Sequence, residues 1–213
     1  MKAFLIKDFL LIRKWLICTM TMIFALSAVT IIWLHSQESF PVALAFALSF
    51  QIIVPMIWVS TTFRYEEMAQ WNILAVSLPV PRRQQVAAKY LVALALVGIG
   101  GSSDALLLFL TTALGKGNAS YWLITCYLIF AALVFMSLSL PVLYKFGING
   151  FQLFLISFFF LAVLICLFIS YFSISLPNKQ FFQIFAAFLP ILLFAVYFSS
   201  YKLSCKIFES KEI

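Results

Sequence analysis

The sequence predicts an all-α fold: a polytopic helical membrane protein with six transmembrane helices and cytoplasmic N- and C-termini. Three observations predict it. Hydrophobic residues make up 65% of the 213 positions and charged residues only 10%, against about 45–50% and about 25% in soluble domains. Polar side chains are too few to cover a soluble domain of this size. The apolar residues also gather into long runs. A helix crosses a hydrocarbon core about 30 Å thick in about 20 residues, whereas a barrel strand needs only about 9–11. The runs suit helices, which satisfy their backbone hydrogen bonds internally, as lipid demands. Third, the basic residues cluster at the ends of alternate runs.

Residues 1–14, MKAFLIKDFLLIRK, mix charges with pairs of large apolar side chains. This suits a cytoplasmic interfacial segment with Lys and Arg snorkelling outward. Span 1 covers 15–34, with Trp15 and Trp33 near opposite interfaces. It is too long for the core of a signal peptide and reads as an uncleaved span. A short linker carrying Glu38 leads to span 2, 41–62, where Pro55 is expected to kink the helix. The longest polar stretch follows, 64–85. Span 3, 86–114, contains the sequence GIGGSSD at 98–104. A tight turn at 115–118 leads to span 4, 121–140. The segment PVLYKFGING, 141–150, reads as an inner linker to span 5, 151–172. Loop 173–180, span 6 at 181–201 and a polar tail complete the chain.

An even number of spans puts both termini on one side. With that side cytoplasmic, of the 14 Lys and Arg only Lys116 and Lys179 fall outside. The positive-inside rule therefore supports both the span count and the orientation. The whole chain, 1–213, reads as one transmembrane domain in a cell membrane.

The formal charge is +7. Because the basic residues sit at the ends of apolar runs, this excess marks topology and not a nucleic-acid surface. Cys18, Cys126, Cys166 and Cys205 include no CxxC pair, and His35 is the one histidine, so no Cys/His metal cluster assembles. Gly115-Lys116-Gly117 lacks the preceding glycine-rich loop and following Ser/Thr of a phosphate-binding loop. No bound cofactor and no catalytic activity are expected of this chain.

The most informative region is the inner loop. Met68, Trp71, Ala75 and Leu78 recur at helical spacing, with Arg64, Glu66, Glu67, Gln70 and Asn72 around them. The pattern predicts an amphipathic helix along the inner surface, ended by Pro79 and Pro81. Arg82, Arg83 and Lys89 would face phosphates or an acidic partner. Two readings stand side by side: a coupling loop through which a soluble partner moves spans 2 and 3, or a helix anchored at the interface by Trp71 and lipid phosphates.

The chain resembles the bacterial ABC-2 type permeases of the small six-span class. The resemblance rests on LIKDFLLIRKW at 5–15, the acidic pair Glu66 and Glu67, Trp71, SLPVPRR at 77–83, and KYL at 89–91. Two positions depart from the family pattern: Pro81 stands where Ser or Thr is common, and Gln70 where a small polar residue or Gly is usual. The resemblance implies the membrane subunit of an exporter. It implies pairing with a second permease subunit, identical or homologous, and docking of cytoplasmic ATP-binding-cassette ATPase subunits that hold ATP and Mg. It also implies that 64–85 is the coupling element, with Glu66, Glu67, Trp71, Leu78, Pro79, Arg82 and Arg83 at the contact.

Asp104 is the one acidic residue deep in a span. A charge there is costly unless paired, protonated or facing an aqueous cavity. With Gly100 and Gly101 it forms a candidate substrate path; alternatively it is a carboxylate held by neighbouring groups. Gly98, Gly100 and Gly101 either break the helix or let helices approach closely. Two further functional classes remain open from sequence alone. One is a membrane-embedded enzyme acting on lipids, for which Asp104 and His35 are the chemical candidates. The other is a structural or regulatory membrane protein or small pore.

Overall fold

The computed structural model describes residues 2–34, 39–70, 81–171 and 179–210. Five helices dominate, and no strand occurs among the described residues. They are α1 (Lys2–Leu34), α2 (Phe40–Met68), α3 (Arg82–Ala113), α4 (Ala119–Tyr171) and α5 (Lys179–Ser210). Among the described residues, four stretches are long and apolar enough to cross a membrane: Phe4–Leu34, Phe40–Met68, Arg82–Ala113 and Ala119–Leu161. The chain forms two compact units, Met1–Met136 and Ser137–Glu212.

In the first unit, α1 runs unbroken for 33 residues, about 50 Å at 1.5 Å per residue. The charged segment 1–14 and span 1 are thus one helix over its described part. Its buried positions form a narrow stripe, Asp8, Ile12, Leu16 and Met20, continued by Ser27 and Ile31. Spacing of four keeps them on one face. Trp15, Ile17, Met22 and Leu26 on the other faces are more than half exposed, as lipid-facing side chains would be. Thr19, Thr21 and Thr30 donate to carbonyls one turn back, so their hydroxyls need no partner from lipid. Thr19 Oγ1 also accepts from Trp58 Nε1 of α2 at 3.3 Å.

Helices α2 and α3 run antiparallel in fixed register. Lys89 meets Thr62, and eleven residues further along each helix Gly100 meets Gln51. Further still, Leu107 and Leu108 share an apolar cluster with Leu44, Ala47, Leu48, Phe40 and Ile31 of α1. The whole stretch from Arg82 to Ala113 stays helical, so the glycines at 98–101 do not break it. Pro55 lies buried inside α2, which runs through it.

The predicted turn at 115–118 is present and has a Schellman cap. The Lys116 N–H reaches the Thr111 carbonyl and the Gly115 N–H the Thr112 carbonyl, both at 3.0 Å. Gly115 takes the left-handed conformation, φ 72°, that this cap requires. Asn118 Oδ1 then accepts from the Ser120 N–H and caps α4. The first part of α4 packs antiparallel to α3: Ile129 lies against Gly101, and the rings of Phe109 and Trp122 stand 5.7 Å apart.

The expected inner linker 141–150 is helical except at one residue. Gly147 has φ 67° and ψ −161°, dividing α4 into 119–146 and 148–171. Confining the break to one glycine leaves the flanking backbone groups in helical bonds. The bend is sharp: a Cβ on Gly150 would lie 2.1 Å from Phe146 Cβ, against about 5–6 Å for such a pair in a regular helix.

In the second unit, Ser200 Oγ donates to the Ser137 carbonyl, and the rings of Tyr144 and Phe208 lie 5.5 Å apart. Partner numbers rise together along both helices, so this part of α4 runs parallel to α5. Ser137, Ser139, Ser200 and Ser204 are all buried, and such small side chains let two backbones approach closely.

Replacing Gly147 with Ala forces a side chain into a backbone conformation that L residues rarely adopt. Gly147→Ala is expected to cost about 1–3 kcal/mol, read as a lower thermal midpoint of the detergent-solubilised protein.

Candidate functional site

The end of the first unit nearest the 69–81 connection holds a cluster of four charges. Lys89, in the third turn of α3, is buried at 5% exposure, and Asp8 of α1 at 1%. The Lys89 Nζ lies 2.9 Å from Asp8 Oδ2, 3.0 Å from Glu66 Oε1 and 3.1 Å from Thr62 Oγ1. An ammonium group has three protons to donate, and here three acceptors meet it, one from α1 and two from α2. The ring of Phe63 closes a further side, 4.9 Å from Nζ. Lys7 pairs with Glu66 and lies 3.4 Å from Asp8 Oδ1, an ion pair that leaves that buried oxygen without a hydrogen bond. Two cations and two anions make the group neutral, the condition under which burial of charge is tolerable.

The cluster forms there because each helix brings one charge onto its buried stripe. Asp8 stands on the α1 stripe one turn before Ile12. Glu66 continues the α2 helix one turn past Thr62. Lys89 stands one turn before Ala93 on the stripe that leads to Leu96 and Gly100.

Of the residues the sequence assigned to coupling, Glu66 faces into this cluster and Glu67 is exposed beside it. Arg82 and Arg83 open α3, half-buried and exposed respectively. Pro81 directly precedes the helix with φ −57°, one residue before the expected first turn. Trp71, Leu78 and Pro79 lie outside the described residues, as does most of the predicted amphipathic helix. Its first residues, from Arg64 to Met68, are the end of α2. Gln70 closes that end with φ 48°, a left-handed cap that glycine adopts more readily. This gives a physical reason for the small residue usual there in the resembled family.

Gly100, Gly101 and Asp104 lie together on α3. Gly100 serves close packing: a Cβ there would stand 2.7 Å from the Gln51 carbonyl oxygen and 3.1 Å from Ile52 Cα. Gly101 faces Ile129, with 3.0 Å to Cδ1. Asp104 is fully buried one turn beyond Gly100.

Lys7, Asp8 and Lys89 were missed as a unit. Lys89, expected to face phosphates or an acidic partner, is instead buried against Asp8 and Glu66, and Lys7 and Asp8 were read only as charges of an interfacial segment. A signal did exist. Asp8 and Lys89 each stand at a position in register with the buried residues of their helix, and they carry opposite signs.

The family model described as ABC-2 family transporter protein matches residues 3–209. The chain belongs to the ABC-2 transporter family. This ABC-2 protein is therefore a multi-pass membrane component of a transporter and not itself catalytic. Membrane components of the family generally work with ATPase partners. No curated protein and no solved structure matches the chain.

Two pairs of substitutions test this geometry. Lys89→Met leaves two carboxylates with one lysine and is expected to destabilise the protein by about 3–5 kcal/mol. Lys7→Met, at the exposed side of the cluster, costs less in the same denaturation assay. Gly100→Ala is expected to cost about 1–3 kcal/mol by pushing α2 away. Gly98→Ala, with nothing within 4 Å, gains about 0.5–1 kcal/mol from helix propensity.

Proposed function

We propose that this chain is the permease subunit of an ATP-driven exporter in the bacterial plasma membrane. It has six spans and cytoplasmic termini. Two permease subunits pair around a substrate route, and two cytoplasmic ATPase subunits, holding ATP and Mg, dock below. The observation that carries the reading is the charged cluster at the root of 64–85. Glu66 lies near the start of the segment and Lys89 just past its end, and Asp8 brings the first helix to the same point. A push on this segment by an ATPase would therefore move α1, α2 and α3 together.

Several features support six spans. The break at Gly147 separates two stretches of α4, each close to the length a bilayer needs. The parallel pairing of α4 with α5 fits an intervening return pass at 148–171. Under this topology the basic residues other than Lys116 and Lys179 lie on the cytoplasmic side. In this reading the contact with the ATPase comprises Glu67, Trp71, Leu78, Pro79, Arg82 and Arg83, with Glu66 holding their base. The seam at Gly100, Gly101 and Asp104 is the candidate substrate path, closed in this conformation.

The test is a pulldown of the full chain in mild detergent from its native host. An ATP-binding-cassette subunit is expected to copurify. The double variant Arg82→Glu, Arg83→Glu is expected to retain about a tenth as much of it, the effect of about 1.4 kcal/mol, at unchanged yield of the permease. Full retention at normal yield overturns the coupling assignment, and recovery of the permease alone overturns the exporter reading.

A further inference from the structure

Asp104 and Gln51 are both fully buried, at 0% exposure. Neither carboxylate oxygen of Asp104 and neither polar atom of the Gln51 amide has a hydrogen-bond partner among the described residues. The two residues lie on facing helices at nearly the same level. The Gln51 carbonyl abuts Gly100, and Asp104 follows Gly100 by one turn on the same buried stripe. Beyond them lies the apolar cluster of Leu44, Ala47, Leu48, Leu107 and Leu108. Four polar atoms without partners thus lie within about one helical turn of each other along this seam.

A bare carboxylate in such a place costs several kcal/mol, so something must offset its charge. Among the described residues of the first unit, no cation lies on the helices at this level. On α1 no charged residue lies between Lys14 and Leu34; on α2 none precedes Arg64; on α3 none but Asp104 lies between Lys89 and Ala113; on α4 none precedes Lys145. The titratable groups on these stretches are Cys18, Tyr90, Tyr121, Cys126, Tyr127 and Tyr144, none of which supplies positive charge. Lys89 is 15 residues away, about 22 Å along the helix, and its three protons are already engaged.

We propose that Asp104 and Gln51 form an intramembrane site for a monovalent cation, either a proton or an alkali-metal ion. The charge sets the valence: one carboxylate is neutralised by a single positive charge, whereas a divalent ion would leave a net charge buried. The donor set suits either occupant. The two side chains make no bond to each other as they stand; brought together by a change of rotamer, a protonated Asp104 donates to Gln51 Oε1 while Gln51 Nε2 donates back to the other carboxyl oxygen. An alkali-metal ion takes the hard oxygen ligands of Asp104 and Gln51. Because neither residue touches solvent here, the cation is held while the α2–α3 seam is closed and exchanges when the seam opens. The inference does not depend on the exporter reading.

Infrared spectroscopy of the full chain in lipid tests it, using Asp104→Asn as an isosteric control for subtraction. If a proton is held, the wild type minus Asp104→Asn spectrum at neutral pH contains a protonated-carboxyl carbonyl stretch, whatever alkali salt is present. If a metal ion is held, the difference is a carboxylate band that shifts saturably with sodium or potassium and not with choline. Gln51→Leu is expected to move the proton or alkali-ion midpoint about tenfold, the worth of one hydrogen bond to a charged group. A carboxylate band indifferent to alkali ions and already present at neutral pH overturns the site. An unchanged midpoint in Gln51→Leu removes Gln51 from it and overturns the pair.

Discussion

Charge inside hydrocarbon must be neutralised where it stands, and the ammonium group of Lys89 is where this protein meets that constraint most completely. Its three acceptors come from two other helices, so a single side chain fixes the mutual position of α1, α2 and α3 at one end of the first unit. Replacing all the charges of the cluster together by apolar groups of similar shape would serve stability about as well, because desolvation of a buried ion pair offsets much of its attraction. What the charges add is a defined arrangement. Only one placement of Asp8, Glu66 and Thr62 satisfies Lys89, and slipping any helix by a turn strands a charge.

Away from that end, the helices meet in a different way. Lipid chains are as apolar as leucine, so helices gain little from hiding hydrophobic surface from lipid. They gain from fitting closely. At Gly100 the α2 backbone comes so near that a methyl group would collide with it. Buried serines on α4 and α5 do similar service in the second unit, where one hydroxyl also bonds a carbonyl of the neighbouring helix. Large side chains such as Trp15, Phe46 and Phe159 are left facing outward. In a soluble protein that pattern would be inverted.

The helical membrane fold was legible because composition and run length speak directly to the solvent. The turn at Gly115 was legible too, since a glycine between two apolar runs leaves few alternatives. The region 141–150 was misjudged because Pro141, Gly147, Asn149 and Gly150 together look like a loop. The chain needs only one residue to turn there, and the structure bends at Gly147 alone, with helix on both sides. The charge cluster escaped for a related reason. Periodicity shows which face of a helix is buried, but the partner of a buried charge lies on another helix 59 residues away, as for Lys7 and Glu66. Glu66 was singled out for contact with a partner, yet its visible bonds run inward.

That inward turn bears on how force would pass through the molecule. Helices that touch only through apolar faces in lipid can slide, since acyl chains fill in wherever a neighbouring side chain moves away. A lever built that way would yield before it moved anything. Rooting the 64–85 segment in Glu66 and Lys89 removes the slack, because sliding there would expose a charge to hydrocarbon. The tie also reaches α1 through Asp8, a helix the inner loop does not touch in sequence. In the proposed exporter, three helices would then answer a push as one body. Further along α3 lie Gly100 and Asp104, where the α2 backbone abuts Gly100, so a displacement at the charged end would be felt at that seam.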